Sequence, residues 1–244
     1  MRMMKAWIGA AVLAGLAASA CLSGCASLRG EEAARYRTIR ENASNEAFQY
    51  LVEYPAFPGL PVPTELARGI AQRAVADFLA QSRENWQAWR DTATEADLAS
   101  GRPPHELRIS WHAEQVDAEA ISLYLEIYSF TGGAHGDLQI KSVNYDPRAQ
   151  RLLELPEVLR NRGEDWLERL SAAARGELKK RLDPKGELDL ASWIDEGAGP
   201  DPANYATFVF DEDEVTIIFQ KYQVAPGASG EQSVVLPRDL GELP

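Results

Sequence analysis

Apolar and polar residues alternate strictly in two neighbouring stretches of the chain, and this pattern constrains the fold more than any other. Residues 107–114 place apolar side chains at every odd position, and residues 121–127 repeat the pattern. A period of two is that of a β-strand with one buried and one solvated face. Both stretches are therefore predicted to be strands of an antiparallel sheet.

Further strands are predicted on both sides of this pair. Residues 48–54 alternate in the same way, and residues 138–145 do so with a change of phase, which is interpreted as a bulge near Lys141 and Ser142. The remaining predicted strands are residues 208–210, 215–219 and 233–236, the first two joined by an acidic turn at 211–214.

Two long stretches change to helical spacing of their apolar residues. Residues 65–86 form one predicted helix, with Thr64 as its N-cap, and residues 166–182 form another that ends at Asp183-Pro184. The order of strands and helices predicts an α+β fold, with antiparallel β-sheets and two main helices packed on them.

The N-terminus carries a second strong signal. Arg2 and Lys5 precede an uncharged apolar run, which is followed by Leu22-Ser23-Gly24-Cys25. This pattern is typical of a lipoprotein signal peptide. The chain is cut before the lipobox cysteine, which is then acylated, with palmitate as an expected acyl group. Cys25 is the predicted lipidation site, and Cys21 is the alternative acceptor. Ala26 after the acceptor favours an outer-membrane location facing the periplasm.

Four segments follow from these patterns. Residues 1–24 are the predicted signal peptide, and residues 25–47 are the lipidated cysteine and a polar tether. Residues 48–104 form an N-terminal strand–helix part that ends in a Gly- and Pro-containing loop. Residues 105–240 form a C-terminal α+β part.

Composition excludes one class of partner. The formal net charge is −12, and removal of a signal peptide containing Arg2 and Lys5 makes the chain still more acidic. Nucleic acid is disfavoured because phosphate binding needs clustered Lys and Arg. An acidic chain attracts basic partners, although acidity is more commonly a source of solubility alone.

The usual catalytic motifs are missing from the sequence. The three histidines, at positions 105, 112 and 135, include no pair at zinc-ligand spacing, and no G-x-S-x-G motif is present. No metal, cofactor or catalytic residue is therefore predicted. A pair of carboxylates for glycan cleavage remains open, because acidic residues are numerous.

The most distinctive segment is the run Thr131-Gly132-Gly133-Ala134-His135-Gly136 between two predicted strands. Adjacent glycines supply the positive backbone torsions of a tight reversal, so the simplest interpretation is a hairpin turn. Thr131 and His135 add polar groups that a turn does not need. A turn and a recognition loop are equally good interpretations.

This run resembles the extracellular domain family shared by RsiV-type anti-sigma factors and the N-terminal region of PdaC-type peptidoglycan deacetylases. The similarity extends to the stretches 144–146 and 153–159 and to the run from Phe219 to Gly230, which contains Tyr222-Gln223-Val224-Ala225-Pro226. A weaker similarity covers Val52-Glu53-Tyr54-Pro55. The N-terminal part is thus PdaC-like and the C-terminal part RsiV-like.

The resemblance implies an α+β fold and two kinds of partner. In the anti-sigma factors this domain binds lysozyme, and in the deacetylases it accompanies a domain that acts on peptidoglycan. Neither a sigma-binding segment nor a deacetylase motif is found here, so signalling and deacetylation are not expected to carry over.

We therefore expect a lipid-anchored, non-enzymatic binding module for a cell-envelope component or a lysozyme-like basic protein. Its predicted contact residues are Thr131, Gly132, Gly133, His135, Tyr222 and Pro226. The alternatives are a hydrolase or esterase acting on envelope glycans and a purely structural envelope lipoprotein.

Overall fold

Six strands form one large sheet in the computed structural model, which describes residues 36–243. The strands lie in chain order across the sheet: β1 (Arg37–Ser44), β2 (Phe48–Ala56), β3 (His105–Val116), β4 (Ile121–Phe130), β5 (Asp137–Asp146) and β6 (Arg151–Leu152). The predicted signal peptide and Cys25 lie outside the described residues.

Neighbouring strands of this sheet are antiparallel except for one pair. Strands β2 and β3 run parallel, with Phe48 opposite His105. Parallel neighbours need a long crossover connection, and helix α1 (Pro61–Thr92) supplies it together with the short helix α2 (Glu95–Ser100). The predicted boundary at residue 104 thus falls between two strands that are directly paired, and α2 lies just before the Gly- and Pro-containing loop.

Helix α1 begins earlier than predicted. Its first residue is Pro61, and Leu60 is its N-cap residue. Proline is well tolerated in a first helical turn, because the backbone N–H groups there have no hydrogen-bond partner within the helix. Thr64 does not cap the helix. Its hydroxyl instead accepts a hydrogen bond from the Phe57 N–H at 2.8 Å, which fixes the turn between β2 and α1.

Strand β1 lies inside the segment that was predicted to be a tether. It pairs with β2 along its whole length, and Ile39 packs against the core under α1. Its other face is polar, with Arg40 bonded to Glu53 of β2. An edge strand of this composition shows little apolar alternation, so it was not recognisable from the sequence.

A second sheet covers the opposite face of the large sheet. It contains β7 (Phe208–Phe210), β8 (Glu214–Phe219) and β9 (Gln232–Pro237), all antiparallel as predicted. A buried polar network joins the two sheets. The Asn144 side chain accepts from the Ser122 hydroxyl and donates to the Phe208 carbonyl, each at 2.8 Å.

The prediction of a bulge in β5 is wrong. Strand β5 pairs with β4 without interruption, and the only register shift in that part of the sheet lies in β3, between Ala113 and Gln115. The apolar residues of β5 change from even-numbered to odd-numbered positions because both faces of the strand are covered. Ile140 packs against the second sheet, whereas Val143 and Tyr145 pack under α1.

The remaining helices pack on the second sheet. Helix α4 (Trp166–Leu182) has Asp183 as its C-cap, as predicted, and Leu170, Ala174 and Leu178 are buried. Two short helices, α3 (Leu155–Val158) and α5 (Ala191–Gly197), complete this layer. The α+β fold class is confirmed.

Between residues 36 and 243, no helix combines the length and hydropathy needed to cross a bilayer.

Candidate functional site

The turn between β4 and β5 has the backbone that its glycines predict. Gly132 and Gly133 adopt φ values of 102° and 98°, a region that residues with a Cβ rarely occupy. Gly136 is needed for another reason. A Cβ there would overlap the Tyr128 ring, coming within 2.6 Å of Cζ. The Tyr128 ring therefore lies directly on the backbone of the turn.

A second turn follows β8 and presents Tyr222 to solvent. Tyr222 is 56% exposed and adopts a φ of 70°, a conformation that costs a non-glycine residue about 1–3 kcal/mol. Its ring lies on Gly227, where a Cβ would overlap it. The surroundings of Tyr222 thus hold it in a strained backbone conformation with its ring outward.

Gln220 fixes this second turn beside the first. Its side-chain amide donates to the Ile140 carbonyl at 2.9 Å, and its Oε1 accepts from the Ile140 N–H at 3.1 Å. Ile140 lies in β5, a few residues after the glycine–histidine turn. A residue of one turn therefore occupies the backbone hydrogen-bonding groups of the strand that leaves the other.

The two turns enclose an open cavity of about 400 Å³, which we call the tyrosine groove. It is lined by aromatic, charged and small residues: Tyr128, His135, Gly136, Asp137, Leu138, Lys221, Tyr222, Gly227, Ala228, Gly230 and Glu231. Lys221 is central to it. The Lys221 ammonium lies 3.6 Å from an Asp137 carboxylate oxygen and 5.4 Å from the centre of the Tyr222 ring.

Two of the predicted contact residues meet in this groove. His135 and Tyr222 both line it, and both side chains are exposed. His135 Nδ1 lies 3.1 Å from the carbonyl oxygen of the adjacent Gly136. The arrangement offers two aromatic faces, an imidazole and an ion pair to a molecule in the groove, which is a set of groups suited to binding a polar ligand with apolar faces.

The other predicted residues point elsewhere. The Thr131 carbonyl accepts from the Asn85 amide of α1 at 2.7 Å, and Thr131 lines a different cavity on the α1 side of the sheet. Gly132 faces Arg102. Gly133 and Pro226 are exposed but do not line the tyrosine groove. Cys25 lies outside the described residues.

Sequence reasoning missed Tyr128, Asp137, Lys221 and Glu231. Tyr128 occupies an even-numbered position of β4, on the face that meets the second sheet, so its role depends on how the two sheets pack. A usable signal was present in the glycines: Gly136 and Gly227 each lack a Cβ because a tyrosine ring occupies that space. The spacing of apolar residues along the sequence gives no information about a contact of this kind.

A buried serine–histidine pair was also missed. Ser82 of α1 and His105 of β3 are fully buried, with Oγ 2.8 Å from Nδ1. The His105 Nε2 atom has no hydrogen-bond partner among the described residues. Burial, and then the positive charge of Arg102, lower the pKa of His105 below its usual value. The pair thus links α1 to β3 inside the protein, away from the surface.

Within the part of the chain that the structure describes, no three His, Cys, Asp or Glu side chains come together as a group that could hold a metal ion. In the tyrosine groove, the Asp137 carboxylate is paired with the Lys221 ammonium.

Two family models match successive parts of the chain. A model described as "Deacetylase PdaC" matches residues 41–137, and one described as "Protein of unknown function (DUF3298)" matches residues 158–239. The first covers β1 to the start of β5 with helix α1. The second covers the layer that contains α4 and the second sheet.

Individual relatives show the same two-part similarity. The peptidoglycan-N-acetylmuramic acid deacetylase PdaC of Bacillus subtilis is 28% identical over 195 residues, which is 80% of this chain. The chain spans only 38% of the length of that enzyme. The immunogenic protein MPT64 of Mycobacterium tuberculosis is 23% identical over 227 residues, covering 92% of this chain and 89% of MPT64.

Solved structures share the fold. A DUF3298 family member from Bacteroides fragilis superposes with a TM-score of 0.56 at 16% identity, over 84% of this chain and 91% of the other. A second, from Pseudomonas aeruginosa, gives 0.52 at 18% identity, over 83% and 90%. Both parts are matched in order, and these similarities together support a DUF3298/PdaC-type domain family member.

Proposed function

We propose that this protein is a non-enzymatic binding module that recognises a component of the bacterial cell envelope through the tyrosine groove. One observation carries the proposal. The glycine–histidine turn and the Tyr222 turn are about 90 residues apart in the chain, yet they line one exposed concave surface. Concave surfaces with aromatic walls and a few polar groups are common ligand sites.

Peptidoglycan is the partner that we favour. The groove combines two tyrosine rings with the ion pair of Lys221 and Asp137, and sugars present both apolar C–H faces and hydroxyl groups to such a wall. The relative from Bacillus subtilis is named as a peptidoglycan deacetylase, and 80% of this chain aligns with it. That name supports an envelope glycan as the ligand of the shared part.

A lysozyme-like basic protein is the second candidate. Its support is the acidity of the chain, with a formal net charge of −12, together with the resemblance to lysozyme-binding anti-sigma domains. Charge complementarity of this kind speeds association and weakens as salt is added. Binding to such a partner would therefore decline with ionic strength.

The proposed location rests on the N-terminal sequence. The run Leu22-Ser23-Gly24-Cys25 has the form of a lipobox, and acylation of Cys25 would hold the domain at a membrane. We propose that the protein faces the periplasm from the outer membrane, where peptidoglycan lies within reach of a short tether.

The hydrolase alternative has less support. Its candidate is His135, whose one hydrogen bond within the described residues is to the neighbouring Gly136 carbonyl. A general base is normally oriented by a carboxylate or paired with a nucleophile. The surroundings of His135 show neither arrangement, which favours binding over catalysis.

Sedimentation with purified peptidoglycan sacculi tests the proposal. We expect the protein to co-sediment and Tyr222→Ala to weaken binding at least about 10-fold, since aromatic anchors in concave sites carry much of the binding free energy. Trp193→Ala is the matched control, because Trp193 is 38% exposed and does not line the groove.

Three outcomes would contradict the proposal. One is the absence of retention on sacculi, and another is equal loss in both variants. The third is turnover of peptidoglycan fragments that disappears in His135→Ala while the fold persists. Salt-sensitive retention on immobilised lysozyme, lost in Tyr222→Ala and without retention on sacculi, would replace the glycan by the basic protein as the partner.

A further inference from the structure

We propose that a second cavity, on the face of the large sheet opposite the tyrosine groove, binds an amphipathic anion with a single alkyl chain. This cavity has a volume of about 520 Å³ and lies between α1 and the ends of β3, β4 and β5. We call it the helix groove. It is distinct from the tyrosine groove, so this proposal does not depend on the one above.

The floor of the helix groove is apolar. Leu66, Ile70 and Phe78 follow one another at helical spacing along α1, and they face Leu107 and Ile127 of the sheet across the cavity. Phe78, Leu107 and Ile127 are buried in the core, whereas Leu66 and Ile70 stay partly exposed. An elongated apolar floor beneath an open mouth matches the shape of an alkyl chain and lies within the usual size range of ligand pockets.

Gly69 leaves room in the helix groove that a larger side chain would occupy. It lies in the interior of α1 and lines the groove. A Cβ at this position would meet no atom within 4 Å, so the packing of the protein itself does not require a glycine. Glycine in a helix interior costs about 1 kcal/mol relative to alanine. The space left by the missing side chain belongs to the open groove.

The mouth of the groove favours an anionic head group. Arg73 of α1 and Lys141 of β5 line it from two walls, and neither forms a salt bridge within residues 36–243. Glu65, also at the mouth, is already paired with Arg68. Asp77 is the remaining carboxylate. Two unpaired cations against one unpaired anion leave a positive balance next to the apolar floor.

Fluorescence titration of the full chain with 11-(dansylamino)undecanoate tests the inference. We expect saturable binding with a blue shift of the dansyl emission. Gly69→Phe should fill the groove and raise the Kd at least about 10-fold. Gly176→Phe is the matched control, since Gly176 also lies inside a helix with no atom within 4 Å of its Cβ. Its Kd should equal that of the wild type.

The head-group requirement is tested separately. We expect Arg73→Gln and Lys141→Gln each to raise the Kd for the carboxylate about 2–5-fold, which is the size of a partly exposed charge interaction. Binding of the methyl ester should be unchanged by either variant. Circular dichroism and thermal unfolding confirm that each variant is folded.

Three results would overturn the inference. The first is the absence of saturable binding by the wild type, and the second is an unchanged Kd in folded Gly69→Phe. The third is an ester that binds as tightly as the carboxylate, because this would remove the anionic head group from the ligand class. Loss of this binding with retention on sacculi intact would separate the helix groove from the tyrosine groove.

Discussion

The ring of Tyr222 lies so close to Gly227 that a Cβ at position 227 would overlap it. Tyr128 and Gly136 repeat this relationship on the other wall of the tyrosine groove. Each tyrosine is thereby held against a glycine backbone with the rest of its ring facing the cavity. The shape of the groove depends on two glycines as much as on two aromatic rings.

Replacement of Gly227 should therefore act through Tyr222. We expect Gly227→Ala to displace the Tyr222 ring and weaken retention on peptidoglycan sacculi about 5–10-fold. Gly176→Ala is the control, because a Cβ there meets no atom within 4 Å. Full retention by Gly227→Ala would show that the position of the ring is unimportant for binding.

The network between the sheets predicts a large stability effect at Asn144. Asn144→Ala removes the partner of the Ser122 hydroxyl and of the Phe208 carbonyl, both buried. Leaving buried polar groups unpaired costs about 1–3 kcal/mol each, so we expect the free energy of unfolding to fall by about 2–4 kcal/mol in urea. Asn42→Ala, on the exposed edge strand, should change it by less than about 0.5 kcal/mol. Similar values for the two variants would contradict the role of the network.

The buried Ser82–His105 pair predicts a smaller effect. Ser82→Ala leaves both ring nitrogens of His105 without a hydrogen-bond partner among the described residues. We expect a loss of about 1–3 kcal/mol in the free energy of unfolding, measured by urea denaturation. Ser110→Ala serves as control, since the Ser110 hydroxyl lies 3.4 Å from Glu126 at a partly exposed site. Equal losses would mean that the pair contributes nothing specific.

His105 also predicts how stability depends on pH. Burial and Arg102 lower its pKa in the folded protein below the ordinary value of 6.5. Below about pH 6.5 the unfolded chain therefore binds a proton that the folded protein does not, so the free energy of unfolding falls as the pH decreases from about 7.5 to about 5.5. His105→Gln should flatten this dependence, whereas His135→Gln, at an exposed position, should preserve it. Identical slopes in all three proteins would refute the assignment.

Much of the fold follows from local patterns, and its exceptions have a common cause. Strands β3 and β4 alternate because one face packs under α1 and the other is more polar. Strand β5 does not, since Ile140 and Val143 are covered by different layers, and this was misinterpreted as a bulge. Strand β1 is an edge strand with little apolar content. Periodicity reports a strand with one apolar face, and it fails where both faces carry apolar residues or neither does.

The candidate site was predictable in part. His135 and Tyr222 were selected because motifs around them resemble a known family, and both line the groove. Thr131 belongs to the same turn but faces the α1 side of the sheet, because a turn at the end of a sheet presents residues to both faces. Tyr128 and Lys221 could be placed only by the packing of one sheet on the other.

Site-specific photocrosslinking in cells tests the central claim most directly. A benzoylphenylalanine placed at position 222 projects into the tyrosine groove, and one at position 193, on α5, lies away from it. The account predicts that irradiation attaches peptidoglycan fragments at position 222 and not at position 193. Fragments attached equally at both positions, or at neither, would contradict it.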